Sequence, residues 1–190
     1  MAQPVAIRGH WVSSGVEQRP GPGGSTLYLR RDFVSDDQRS TARLMFYSDA
    51  EGTQRSLTIH ITGPYTIGQP SAAVPGAYEA DFHFDTARLT VHNEFFRNLL
   101  NSAAPGTCGT APWELHVEQD VTATHGCLPL GLDLVQRGTE YDLVKVEGDK
   151  LYYGARPADG SGLDTPEKRP TALQVPLVRA EEKGTQGGYL

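Results

Sequence analysis

At 190 residues the chain is long enough for one domain with a substantial core. Its net charge of -6, with both signs interspersed, argues against nucleic acid or an anionic membrane as partner, since both call for a concentrated basic surface. No apolar run approaches the roughly 18 residues of a membrane-crossing helix, and the first eight residues lack the basic start and apolar stretch of a signal peptide.

The first strand opens at Gly9-His-Trp-Val-Ser13. A Gly-x-Trp opening resembles that of lipocalin-like barrels, where the indole plugs the closed end against an arginine from the last strand. Trp11 and Arg179 are the candidates for that structural pair; the alternative is that Trp11 is a core aromatic only. Glu17 and Arg19 share a face of an extended chain before the Pro20-Gly21 turn. They either pair with neighbouring strands, the favoured reading, or face a pocket.

Leu27, Leu29 and Phe33 then fall on one face, interrupted by Arg31, with Tyr28, Arg30 and Asp32 on the other. After the Asp36-Asp37 turn, residues 41–47 return with Leu44 and Phe46 on one face. Residues 56–62 alternate most cleanly, Leu57, Ile59 and Ile61 against Thr58, His60 and Thr62. Residues 78–85 set Ala80, Phe82 and Phe84 opposite Glu79, Asp81, His83 and Asp85, and residues 87–92 continue after a bend. Residues 93–102 read as the one helix, with Asn93 as N-cap and Glu94 at the positive end of the dipole. Its Phe95, Phe96, Leu99 and Leu100 stripe either buries against the sheet or covers an opening.

Residues 113–118 alternate as a strand, and residues 128–134, broken by Pro129 and Gly131, read as irregular. Residues 140–147 and 150–154 form a hairpin around Gly148-Asp149. A polar loop, 156–171, leads to a last strand over 172–179, and 181–190 is expected to be disordered. The fold class predicted is all-β: one antiparallel, lipocalin-like β-barrel of about eight or nine strands with one short amphipathic helix, spanning residues 1–180. A β-sandwich is the alternative.

Cys108 and Cys127 flank residues 113–121. A disulfide between them closes about 20 residues and stabilises by roughly 3 kcal/mol; two reduced, buried thiols are the alternative, expected in the cytosol. No Cys-x-x-Cys or His-x-x-x-His spacing accompanies them, so no metal is expected. No cofactor is expected either, because P-loop, dinucleotide fingerprint and nucleophile elbow are all lacking. The missing leader favours a cytoplasmic location; a formed disulfide points instead to secretion.

Several blocks resemble the adenomatosis-polyposis-coli-down-regulated proteins. They are Gly9–Ser13 with Glu17–Gly21, Phe46–Ala50, Cys108-Gly109 before Trp113, Gln119–Gly131, and Asp159–Ser161 with Pro166–Pro170 and Val175–Val178. Together they cover nearly the whole chain in the family's order. The resemblance implies a β-barrel domain able to hold lipid in an apolar cavity, with Cys108 and Cys127 as a retained disulfide pair. It also implies an extracellular Wnt antagonist, whose partner would be a Wnt-type lipidated protein. Family members carry cysteines, paired with each other, where this chain has Val16 and Gly52. The animal proteins have a signal peptide, two such domains and a membrane anchor, so the chain is most similar in plan to a single-domain, bacterial relative.

The catalytic candidates are Glu17, His60, His83 and His116. The three histidines, from a total of six, occupy polar faces of alternating segments. They face solvent if the apolar faces line the lumen; if a polar face does, they serve as general acid or base with Glu17 or Asp81. The ligand-binding candidates are Tyr28, Leu29, Phe46, Ile59, His60, Phe82, Phe84 and Leu115. The apolar members converge inward and either fill a narrow barrel or line an elongated apolar pocket, with Tyr28 or His60 near its rim. The favoured function is binding of a hydrophobic small molecule, lipid or acyl chain in the lumen. The alternative is an enzyme that cyclises or isomerises a hydrophobic, natural-product-like substrate. Titratable groups retained in the lumen favour the enzyme; an all-apolar lumen favours the binder.

Overall fold

The period-two alternation is realised as a closed ring of strands in the computed structural model, which describes residues 5–181. The strands are β1 (Gly9–Ser13), β2 (Glu17–Pro20), β3 (Thr26–Ser35), β4 (Arg39–Tyr47), β5 (Arg55–Pro70), β6 (Tyr78–His83) and β7 (Thr86–Val91). After helix α1 (Glu94–Asn101) come β8 (Glu118–Asp120), β9 (Gly126–Cys127), β10 (Leu132–Asp133), β11 (Thr139–Glu147), β12 (Lys150–Tyr153) and β13 (Leu177–Arg179). An 8-strand antiparallel barrel runs β1-β3-β4-β5-β6-β11-β12-β13 and returns to β1, where Trp11 pairs with Arg179. The barrel is all-β and lipocalin-like.

β5 is 16 residues long because, besides β4, it serves two neighbours along its other edge. Leu57–Thr62 pairs with β7, and Tyr65–Pro70 pairs with β6. The wall forks at Gly63, where any Cβ would collide with the His83 carbonyl oxygen, so only glycine admits this approach. Beyond β7 lies an annex of α1, β8 and the Cys108–Cys127 disulfide. The Asn93 side chain caps α1 by accepting from Phe96 N–H at 3.0 Å. Leu100 buries, whereas Phe95 is exposed.

Two expected strands are shorter than their patterns suggest. Residues 113–117 are not a strand, although they alternate. The Trp113 backbone is held by Asn101, which accepts from its N–H at 2.7 Å and donates to its C=O at 3.0 Å. His116 takes a left-handed φ of 64°, which breaks the extended run, and only Glu118–Asp120 joins β7. The last strand is reduced to Leu177–Arg179, because Pro176 has no N–H to enter the ladder. The tail expected to be disordered lies outside the described residues, apart from Glu181.

Trp11, on the strand that joins the two ends of the ring, is fully buried. Its indole N–H donates to the Ile7 carbonyl at 2.9 Å, and the Arg179 guanidinium sits 4.1 Å from the ring centroid. Gly9, at φ +133°, lets that arginine in: a Cβ there would lie 2.6 Å from Arg179 Nη1.

Candidate ligand-binding site in the barrel lumen

Alternation along each strand sends every second side chain inward, and the inward set makes two unlike walls. The first is apolar. β3 contributes Phe33, β4 Leu44, β5 Ile61 and β6 Phe82, with Phe84 just beyond the end of β6. Phe82 is the hub: its ring stacks 5.7 Å from Tyr65 and 6.5 Å from Phe84, and tilts 5.7 Å from Tyr153. Between this wall and the second remains a cavity of about 80 Å³, room for more than a single water.

The second wall is charged. Arg31 lies on the same face as Leu29 and Phe33 and is 2% exposed. Its Nε donates to both oxygens of Glu17, at 2.9 and 3.1 Å, and its Nη2 to the Val175 carbonyl at 2.7 Å. Ser13 fixes the pair by donating to Glu17 at 2.6 Å and accepting from Arg31 N–H at 2.7 Å. Arg19 reaches Gln174 at 2.6 Å and Glu17 at 3.4 Å; burial, with the neighbouring Arg31 charge, pulls its guanidinium down to about 10.

Asp142, fully buried, accepts from the N–H groups of Leu143 and Gly154 at 2.7 and 2.9 Å. Arg156 lies 3.1 Å from its other oxygen, an ion pair by distance but poorly aligned as a hydrogen bond, and donates to Glu140 at 3.1 Å. Each guanidinium thus has a carboxylate: Arg19, Arg31 and Arg156 face Glu17, Glu140 and Asp142. Four polar atoms of this wall have no hydrogen-bond partner among the described residues: Asp142 Oδ2 and Arg156 Nη1, which face each other as an ion pair, and Arg31 Nη1 and the Tyr153 hydroxyl. Burial, and then the Asp142 charge, push the Tyr153 phenol far up, so it stays protonated.

Of the ligand-binding candidates, Phe82 and Phe84 line this cavity. Leu29, Phe46 and Ile59 share the inward face by alternation but are not part of the cavity's lining. Tyr28 and His60 are corrected to the outer face: Tyr28 pairs with Tyr47, and His60 sits between Arg43 and Arg88 with Glu118 3.7 Å away. Leu115 is corrected too, since it belongs to a loop of the annex and not to a barrel strand. The histidines all lie outside the lumen. His83 is exposed and bonds Thr139 at 3.0 Å, and exposed His116 lies 3.0 Å from His92, Nδ1 to Nδ1. Period two explains the positions of His60 and His83: each neighbours an inward apolar residue and so points out. Glu17 does reach the charged wall, with its oxygens taken by Arg31, Ser13 and Arg19.

Arg31, Asp142, Tyr153 and Arg156 were not among the candidates. Arg31 did leave a signal, a charge interrupting an apolar face, and Asp142 leaves the same one beside Val144. Arg156 and Gln174 come from irregular segments, where no period assigns a face. Among the described residues, no group of three or more His, Cys, Asp or Glu is placed to hold a metal ion, and no helix is long and apolar enough to cross a membrane.

Val16 and Gly52, set against paired family cysteines above, are neighbours in space: a Cβ on Gly52 would lie 2.6 Å from Val16 Cγ2. The Cys108–Cys127 disulfide is formed. A family model described as adenomatosis polyposis coli down-regulated 1 matches residues 1–187, nearly the whole chain, and to that family the protein belongs.

Proposed function

We propose that the protein binds a hydrophobic small molecule in the barrel lumen. The observation that carries this is the aromatic wall of Phe33, Phe82 and Phe84, which borders a cavity of about 80 Å³. Moving a ring-sized molecule onto such a wall removes about 150–250 Å² of apolar surface from water, worth about 4–6 kcal/mol before ordering costs. The cavity suits a compact molecule; a long acyl chain requires the Phe82 or Phe84 ring to swing aside. Native mass spectrometry of the purified protein is expected to reveal a retained apolar compound. A folded Phe82→Asp variant, checked by circular dichroism, is expected to lose uptake of a fluorescent fatty acid. Undiminished uptake by that variant rejects the lumen as the binding site.

The charged wall supports a second reading, an enzyme that cyclises or isomerises a hydrophobic substrate. Glu17 and Asp142 are held by arginines and backbone N–H groups, so neither is a free base. The chemistry at hand is proton donation by Tyr153 and stabilisation of a developing oxyanion by Arg31. Turnover of a bound compound, absent in Tyr153→Phe, would favour this over simple binding. A lipidated protein partner of the Wnt type rests on the family resemblance alone, and the Cys108–Cys127 bridge supports an oxidising compartment.

A further inference from the structure

We infer that the lumen selects a ligand bearing an acceptor oxygen, of the carbonyl or carboxylate type, held jointly by Arg31 Nη1 and the Tyr153 hydroxyl. This rests on the lumen-binding reading and adds the chemistry of the ligand's polar group.

A guanidinium has five N–H donors and no acceptor. On Arg31 the Nε hydrogen goes to Glu17 and an Nη2 hydrogen to Val175, while Nη1 meets no acceptor among the described residues. The side chain is 2% exposed and clamped by Glu17, Ser13 and Val175, so Nη1 cannot turn toward bulk solvent. Tyr153 is 3% exposed, wedged between Phe33, 5.3 Å away edge-on, and Phe82, and its hydroxyl is likewise without a partner. Leaving buried donors unmade is costly, and here both belong to side chains lining one cavity.

Neither donor has an acceptor in the walls among the described residues. One oxygen of Asp142 takes two backbone N–H groups and the other faces Arg156. Both Glu17 oxygens are occupied. The arginines aside, the rest of the lining is aromatic and aliphatic but for Ser40, Glu140 and Gln174, none of which accepts a hydrogen bond from Arg31 Nη1 or the Tyr153 hydroxyl. A small molecule with an apolar body and one oxygen satisfies both sides at once. Because each arginine already has its carboxylate, a neutral carbonyl enters without disturbing the charge balance. A carboxylate adds a charge beside Asp142 and Glu140.

The test uses the full chain and three probes of matched shape: ethylbenzene, acetophenone and benzoate. Affinities come from NMR titration of the wild-type protein and Tyr153→Phe, following both the ligand signals and the protein's backbone amides. The wild type is expected to bind acetophenone about tenfold more tightly than ethylbenzene, the effect of one to two net hydrogen bonds. Tyr153→Phe is expected to lose about fivefold of the acetophenone affinity while its ethylbenzene affinity is unchanged. Its melting temperature should not fall, since the hydroxyl removed has no partner to lose. The wild-type series stands by itself if the variant misfolds.

Benzoate weaker than acetophenone assigns a neutral carbonyl; benzoate tightest of the three assigns an anion at the same donors. Equal binding of ethylbenzene and acetophenone by the wild type overturns the acceptor inference and leaves the lumen reading standing, with water at the two donors. Failure of all three to bind, with no shift of the Phe82 and Phe84 amide signals, overturns both.

Discussion

Replacing Glu17 by Gln removes one charge from the buried wall and keeps the shape. The cost follows from what is left behind. Arg31 is 2% exposed and remains cationic, yet its main counter-ion is gone. Breaking a buried pair on one side in this way costs about 3–5 kcal/mol, because the remaining charge is neither solvated nor neutralised. Arg19 also loses Glu17 but keeps Gln174 and some solvent access, so its share is small. In a domain of this size each kcal/mol lowers the melting temperature by about 2–4 °C, giving an expected fall of about 6–20 °C. Scanning calorimetry or urea titration measures it. The double variant Glu17→Leu with Arg31→Met removes the stranded charge together with its partner and is expected to recover most of the loss. A double-mutant cycle then gives a coupling of several kcal/mol. A Glu17→Gln cost below about 1 kcal/mol, with coupling near zero, would refute the reasoning, since the wall would then be open to water and Arg31 effectively solvated.

Two further outcomes are expected. Burial lowers the His60 and His92 pKa values, helped by Arg88 at His60 and by Arg55 and His116 at His92. Their unfolded forms therefore bind more protons between the folded values and about 6.5, so this stability is complete above pH 6.5 and is lost as pH falls through the folded values. Melting temperature against pH should decline below neutrality in the wild type and decline less in His92→Gln; identical slopes would exclude the histidine. In the variant Val16→Cys with Gly52→Cys, a second bridge should form. Its 16-to-52 loop favours stability by up to about 4 kcal/mol, reduced by strain at the left-handed position 52, φ +69°; thiol counting after denaturation gives its yield.

The barrel was legible in the sequence because alternation is a local property. Leu57, Ile59 and Ile61 could be assigned to one face without knowing their neighbours, and the Asn93 cap is fixed by its own helix. The same periodicity misled at Trp113–Val117, whose backbone partner is Asn101, a choice made by the packing of the annex and invisible in the alternating pattern. In the lumen, Phe82 and Phe84 could be found from their face, but the elongated apolar pocket gives way to a short cavity with one charged wall. Arg31 had announced itself by breaking an apolar face. Arg156 and Gln174 had not, because their positions depend on how residues 154–176 fold back over the end of the barrel.

The ring is closed by pairing β1 with β13, the first strand with the last. A chain leaving the ribosome presents β1 through β5 early, and these can pair in sequence as they emerge. Closure must wait for residues 177–179. Until then the sheet has two open rims, along β1 and β12, and Arg31 holds Glu17 but lacks the Val175 carbonyl. Such rims accept any suitable strand, including β13 from another copy of the chain. Crowded synthesis therefore favours exchanged dimers in which each copy seals the other. A chain ending before Leu177 keeps both rims permanently, and aggregation follows from the same geometry that makes the finished barrel seamless.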